Sequence, residues 1–264
     1  MSNIQQAADS GNDQAMFTYA KMLFKGEGIP KNVPESLKYF QKAINLGNDL
    51  AINTYANILK KGDNVPINKV EAARLYKLSS DRNNNNISMY KYAKMVNRGE
   101  GIPVNLNESF YYYPRSAKLG NVKAMAKCGE MLQEGNGCQR NSNEAFKYVK
   151  AAIEKGNSYA MYLYSYWLLY GIGGQQNDSE SLRYVKMSIE KNNKDALALY
   201  GMMLFYGNCI PMNRTEGIKY IKNAAEKGST SGMVLYSRLL YDGTYVPQNK
   251  KESLKYMKKA IDKY

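Results

Sequence analysis

Apolar residues recur along the chain at three- and four-residue spacings, the period of an amphipathic helix, and the whole pattern returns seven times. Ala15, Tyr19 and Leu23 come back as Ala51, Tyr55 and Leu59, and again as Ala196, Tyr200 and Leu204. A second apolar stripe carries a large ring at Tyr39, Tyr112, Tyr148, Tyr184, Tyr220 and Tyr256, with Leu75 in the second register. Small residues at Ala43, Ser79, Ser116, Ala152, Ser188, Ala224 and Ala260 mark places where neighbouring helices approach. Two stripes per period predict two helices per period, an outer pair A and B repeated in tandem.

The polar positions punctuate these helices. Gly26, Gly62, Gly99, Gly135, Gly171, Gly207 and Gly243 follow one another at steps of 36, 37, 36, 36, 36 and 36 residues. They fall where helix A must stop, since glycine enters the left-handed C′ conformation without a Cβ penalty. Asn32, Asn68, Asn105, Asn141, Asn177, Asn213 and Asn249 keep the same steps. So do Glu35, Glu71, Glu108, Glu144, Glu180, Glu216 and Glu252. Asn followed three residues later by Glu predicts a capping box opening helix B, with Glu reaching back to the N-cap amide. Helix B stops at Gly11, Gly47, Asn84, Gly120, Gly156, Asn192 and Gly228. The one extra residue lies in the asparagine run 83–86. Pro114 falls inside helix B of the third repeat, and a kink or early break near Tyr111 is expected there.

These positions carry a resemblance. The stretch from Gly11 to Ala43, read as Gly-x-x-x-Ala-x-x-x-Tyr-Ala-x-x-Leu-x-x-Gly-x-Gly-Ile-Pro-x-Asn-x-x-Glu-Ser-x-x-Tyr-Phe-x-x-Ala, resembles the Sel-1-like repeat family, relatives of the tetratricopeptide repeats. The resemblance covers residues 11–264. It implies an all-α fold, a right-handed α-α superhelix (solenoid) of seven helix-turn-helix repeats at about 11–46, 47–83, 84–119, 120–155, 156–191, 192–227 and 228–264. Residues 1–10 then read as the end of a helix from a partial preceding repeat. Departures are small: Asn replaces the usual loop Asp, Tyr the usual helix B tryptophan, and Asn64, Cys209 and Tyr245 the second loop glycine. The resemblance implies adaptor and scaffold functions. Cysteine-rich relatives linked to β-lactam binding carry a paired cysteine in each repeat; here Cys128, Cys138 and Cys209 are scattered, so that activity does not carry over.

Composition narrows the chemistry. The chain has 264 residues, 44% hydrophobic, enough to bury a core. Three cysteines are too few for a disulfide scaffold and read as reduced thiols of a cytoplasmic protein. The first residues have neither a basic n-region nor an apolar h-region, and the most apolar stretch, 159–172, is too short to span a bilayer. There is no histidine, so the commonest general base and metal ligand is missing. The seven glutamates are accounted for by capping, and no Gly-Lys-Ser/Thr follows the Gly-x-Gly loops. The expectation is a non-enzymatic protein with no metal and no cofactor.

The remaining signals are surfaces. Formal net charge is +14, and helix B repeats Glu-x-x-Lys/Arg-x-x-Lys at Glu71-Arg74-Lys77, Glu144-Lys147-Lys150, Glu180-Arg183-Lys186, Glu216-Lys219-Lys222 and Glu252-Lys255-Lys258. Glu-to-Lys pairs on a solvated face explain this ladder at about 0.2–0.5 kcal/mol each; an electrostatic surface for RNA or anionic membrane is the alternative. The positions equivalent to 14, 17, 18, 21 and 25 form the outward stripe of helix A. They are basic and polar in the first four repeats, with Lys21, Lys25, Lys61, Lys91, Lys94, Arg98, Lys123 and Lys127 beside Glu130 and Glu134, and become Tyr159, Tyr162, Leu163, Tyr166 and Tyr170 in the fifth. The sixth continues with Leu199, Met202 and Tyr206. Either these rings pack against a neighbouring repeat or they form a recognition groove, since aromatics and Met are enriched at binding hot spots. The groove reading names Tyr159, Tyr162, Tyr166, Tyr170, Met202 and Tyr206 as anchors, with Lys91, Lys94, Arg98 and Lys127 steering an acidic stretch of a protein or peptide partner. Variable helix A surfaces disfavour base-by-base reading of nucleic acid. The C-terminus falls inside a helix B with no polar capping helix, which reads as a segment of a longer protein or as ends that self-associate.

Overall fold

A computed structural model of the chain describes residues 3–262, all of whose regular structure is helical. A short helix α1 (Asn3–Asp9) precedes seven A/B pairs: α2 (Asp13–Lys25) with α3 (Val33–Asn45), α4 (Asp49–Lys61) with α5 (Lys69–Asn83), and α6 (Asn86–Arg98) with α7 (Leu106–Lys118). Then come α8 (Val122–Glu134) with α9 (Ser142–Glu154), α10 (Ser158–Tyr170) with α11 (Asp178–Glu190), α12 (Lys194–Tyr206) with α13 (Arg214–Glu226), and α14 (Thr230–Asp242) with α15 (Lys250–Ile261). The helices fall into two compact units, Met1–Ala124 and Met125–Tyr264.

Helix starts and stops obey the punctuation. At every B helix the Asn side chain accepts from the Glu amide three residues on, at 2.9–3.1 Å. The other half of the expected capping box does not form. Each N-cap amide donates instead to a carbonyl nine residues back, as Asn32 to Leu23 and Asn141 to Leu132, at 2.9 Å in both. That bond closes the A–B loop, so the donor is already spent when Glu could reach it. The glutamates turn to other partners: Glu35 accepts from the Asn32 side-chain amide, Glu71 from Arg74, and Glu108 from Lys77 and Tyr92. A second cap series, unread in the sequence, opens the A helices: Asn12, Asn48, Asn85, Asn121, Asn157, Asn193 and Ser229 accept from the N3 amide. The B-to-A turn is thus one left-handed residue followed directly by a cap.

Of the two irregularities, the first differs from the expectation of an early break and the second falls where the sequence put it. Helix α7 runs unbroken through Pro114 to Lys118 and matches the 13 residues of most other helices, so the early break does not occur. Proline has no amide to give the Phe110 carbonyl, yet the helix continues beyond it, the Leu119 amide donating to the Arg115 carbonyl at 3.3 Å. The extra residue of the second repeat is absorbed by lengthening α5 to 15 residues, ending at Asn84 in the left-handed region with φ 48°.

The cores explain why tyrosine recurs. The two sequence series meet edge-to-face inside a repeat: Tyr19 with Tyr39, Tyr92 with Tyr112, Tyr164 with Tyr184, Tyr200 with Tyr220 and Tyr236 with Tyr256, centroids 4.8–5.3 Å apart. In the fourth repeat buried Cys128 occupies the helix A site, and burial pushes its thiol well above the ordinary range, with Cys138 and Glu144 adding to the shift. A and B helices approach through pairs of small residues sixteen apart. Ser36 donates to the Ala20 carbonyl at 2.7 Å, and Ser165 and Ser181 exchange hydroxyl-to-carbonyl bonds at 2.8 Å. In the sixth repeat the pair is Gly201 and Gly217, where a Cβ on either would lie 2.7–2.9 Å from the other's carbonyl oxygen.

Candidate functional site

The outward stripe of α10 is not uniform once neighbours are in place. Leu163 and Leu199, expected on the exposed face, are buried at 6% and 3% exposure. Leu199 joins a core cluster with Leu169 of the adjoining helix A and with Val185, Ala196 and Met203. Tyr162 is half-buried and packs on that same cluster. Burial raises its phenol pKa well above the usual range, with the Asp195 charge contributing.

Tyr159 is also half-buried and is held by a charged pair on α8. Its hydroxyl donates to Glu130 Oε1, while Lys127 Nζ donates to Glu130 Oε2 at 2.5 Å and lies 4.7 Å from the Tyr159 ring centroid. Burial, then the Glu130 charge and hydrogen bond, push its pKa upward. Lys127 is therefore engaged within its own unit.

Tyr166, Tyr170 and Tyr206 present 38%, 45% and 59% of their surface to solvent. The α10 rings form a run, Tyr159 to Tyr162 at 5.9 Å, Tyr162 to Tyr166 at 6.3 Å and Tyr166 to Tyr170 at 4.8 Å. Met202 on α12 is half-buried. It lines a cavity of ≈ 240 Å³ together with Phe205, Tyr206, Leu235, Arg238, Leu239 and Tyr245. Arg238 and Leu239 were not singled out in the sequence, although Arg238 holds the position equivalent to Tyr166 and Met202; Tyr245 figures there only as a replacement of the second loop glycine.

The basic residues Lys91, Lys94 and Arg98 belong to the first unit. Lys91 is half-buried, donates to Asn57 Oδ1 at 3.1 Å and sits 5.1 Å from the Tyr76 ring centroid. Burial lowers its pKa, and Lys60 and Lys61 lower it further. Arg98 is exposed and lies 3.7 Å from Glu100, which also pairs with Lys60 at 2.5 Å. The helix B ladder is exposed and partly self-paired, Arg74 with Glu71 at 2.7 Å and Lys219 with Glu216 at 3.1 Å. Such pairs contribute little individually.

A family model for the Sel1 repeat matches residues 13–48, 50–84, 86–121, 122–157, 158–193, 194–229 and 230–264. Among solved structures, the chain is similar to c5321, a protective antigen present in uropathogenic Escherichia coli strains and displaying an SLR fold, at 20% identity and a TM-score of 0.72. That likeness covers 98% of this chain and 56% of the other, so the chain spans little more than half its length. A Sel1 repeat protein from Oxalobacter formigenes is similar at 19% identity and TM-score 0.72, over 98% and 75% of the two chains. The immunity protein Pa5087 from Pseudomonas aeruginosa is similar at 16% identity and TM-score 0.56, over 82% of each. No curated protein shows a significant match. These likenesses carry the fold: an all-α superhelical repeat array.

Proposed function

The chain belongs to the Sel1 repeat family, whose members are generally protein-interaction scaffolds, and on that premise we propose that it binds a partner protein along the exposed tyrosines of α10 and α12. One observation carries this reading. Tyr166, Tyr170 and Tyr206 remain exposed on helices whose other faces are closely packed, although burying a large ring is worth about 1.5–3 kcal/mol. Rings fixed by such helices lose little entropy on binding. The anchors are Tyr166, Tyr170, Met202 and Tyr206, with Tyr159 and Tyr162 bracing the run from beneath. Lys91, Lys94 and Arg98, with the net charge of +14, favour a partner carrying an acidic stretch and raise its encounter rate. No helix of the described residues is long and apolar enough to cross a membrane, and a cytoplasmic scaffold is the setting we propose.

The test pairs capture with stability. Wild type and Tyr166→Ala are used as bait, captured proteins are identified by mass spectrometry, and the affinity of the purified partner is measured for both. The expected cost is roughly 2 kcal/mol or more in binding, with unfolding free energy changed by no more than about 0.5 kcal/mol. Unchanged affinity with a stability loss of several kcal/mol assigns the ring to packing and ends the proposal.

A further inference from the structure

The cavity between α12 and α14 has features the repeat pattern does not supply. In six repeats the second loop position is left-handed, at Gly28, Asn64, Gly101, Gly137, Gly173 and Cys209. Tyr245 occupies that position in the seventh repeat and is not left-handed. Its ring stands 5.0 Å from Phe205 at 88°, and Tyr206 stands 5.0 Å from the same Phe205 at 80°. The two tyrosines wall a space floored by Phe205, Ile221, Leu235 and Leu239. Its ≈ 240 Å³ falls below the about 300–1,000 Å³ of pockets that enclose a whole small ligand. A single large side chain fits that scale.

The rim gives the charge. Arg238 is 82% exposed by side chain and meets Asp242 only at 3.8 Å, an exposed pair whose exchange for another carboxylate costs little. Arg214 lies 5.2 Å from the Tyr245 ring centroid. Arg214 is not part of the lining, which carries one guanidinium, Arg238, and one carboxylate, Asp242. The loose Arg238–Asp242 pair leaves that guanidinium open to a second carboxylate, and the chain's net charge of +14 favours an acidic partner segment.

Resting on the reading that this face docks a protein partner, we infer that the cavity is the anchor pocket for one aromatic or aliphatic side chain of a partner peptide whose flanking residues are acidic. The anchor inserts between Tyr206 and Tyr245, and a flanking carboxylate takes the Arg238 guanidinium from Asp242.

The probe is a synthetic nonapeptide, Gly-Gly-Asp-Asp-Phe-Asp-Asp-Gly-Gly, with a fluorinated phenylalanine titrated against the full chain by fluorine NMR. Saturable binding is expected. Tyr206→Ala and Arg238→Glu should each weaken it about tenfold or more, and the peptide with Asn for every Asp should bind more weakly as well. Tyr111→Ala, at an exposed tyrosine of α7 outside both the tyrosine run and the cavity, should leave it within about twofold. Circular dichroism melts confirm that each variant keeps its fold. No saturable binding at millimolar peptide, or wild-type affinity in both Tyr206→Ala and Arg238→Glu, overturns the pocket. If the peptide behaves as expected while Tyr166→Ala still binds the captured partner at wild-type affinity, the tyrosine-run reading fails and the pocket stands.

Discussion

Gly201 and Gly217 show how a residue's role depends on what faces it. In a free helix, replacing glycine by alanine gains about 1 kcal/mol. Here a Cβ on Gly201 would meet Ile221 Cγ1 at 2.8 Å and the Gly217 carbonyl oxygen at 2.9 Å, and backbone cannot yield as a side-chain tip can. Gly201→Ala should therefore lose about 1–3 kcal/mol in urea unfolding, the cost of overpacking; a gain would mean that α12 and α13 separate at no cost. The same dependence divides the tyrosines. Tyr159 and Tyr166 are equally apolar and occupy one helix, yet Tyr159 is tied to Glu130 and Tyr166 is open. Helical spacing read both as outward, because spacing gives the direction of a side chain and not what stands there.

At the scale of the element, Asn and Glu of the expected capping box carry unequal weight. Asn141 accepts from the Glu144 amide at 3.1 Å, whereas the Asn141 backbone amide donates to Leu132 and only the Asn141 side-chain amide reaches the Glu144 carboxylate, at 3.4 Å. Asn141→Ala should cost about 0.5–2 kcal/mol, and Glu144→Ala only about 0.3–0.5 kcal/mol, the size of a surface pair. Equal losses in thermal unfolding would restore the reciprocal box. Pro114 is the other element-scale case. It sits within α7 without ending it, so its missing amide bond is a standing loss and Pro114→Ala should raise stability by up to about 3 kcal/mol. No gain would mean that the surrounding turns have fully adapted to the ring. Helix existence and most helix ends were legible because caps and stops act within three or four residues; the Asn amide was not, since its acceptor is chosen by how helix A turns back on helix B.

For the whole molecule, seven matched repeats place the chain in its family, and a charge of +14 sets how partners reach it. The two functional readings differ in salt. If apolar tyrosine contacts dominate, raising salt from 50 to 200 mM should weaken partner binding by less than about tenfold, chiefly through the association rate. If the exposed helix B ladder binds RNA or anionic membrane instead, the loss over that range should reach about 10³-fold or more. Titrations of the partner at the two salts decide between them.

The sequence by itself determined the period, the helix pairs, the left-handed stops and the Asn caps, because each rests on interactions between residues a few positions apart. Tertiary structure alone decided that Leu163 and Leu199 are core, that Tyr166, Tyr170 and Tyr206 stay exposed, and that Tyr245 walls a cavity with Tyr206. Those outcomes depend on atoms about 36 residues away, brought alongside by packing of one repeat on the next, and a local pattern carries no record of which neighbour arrives.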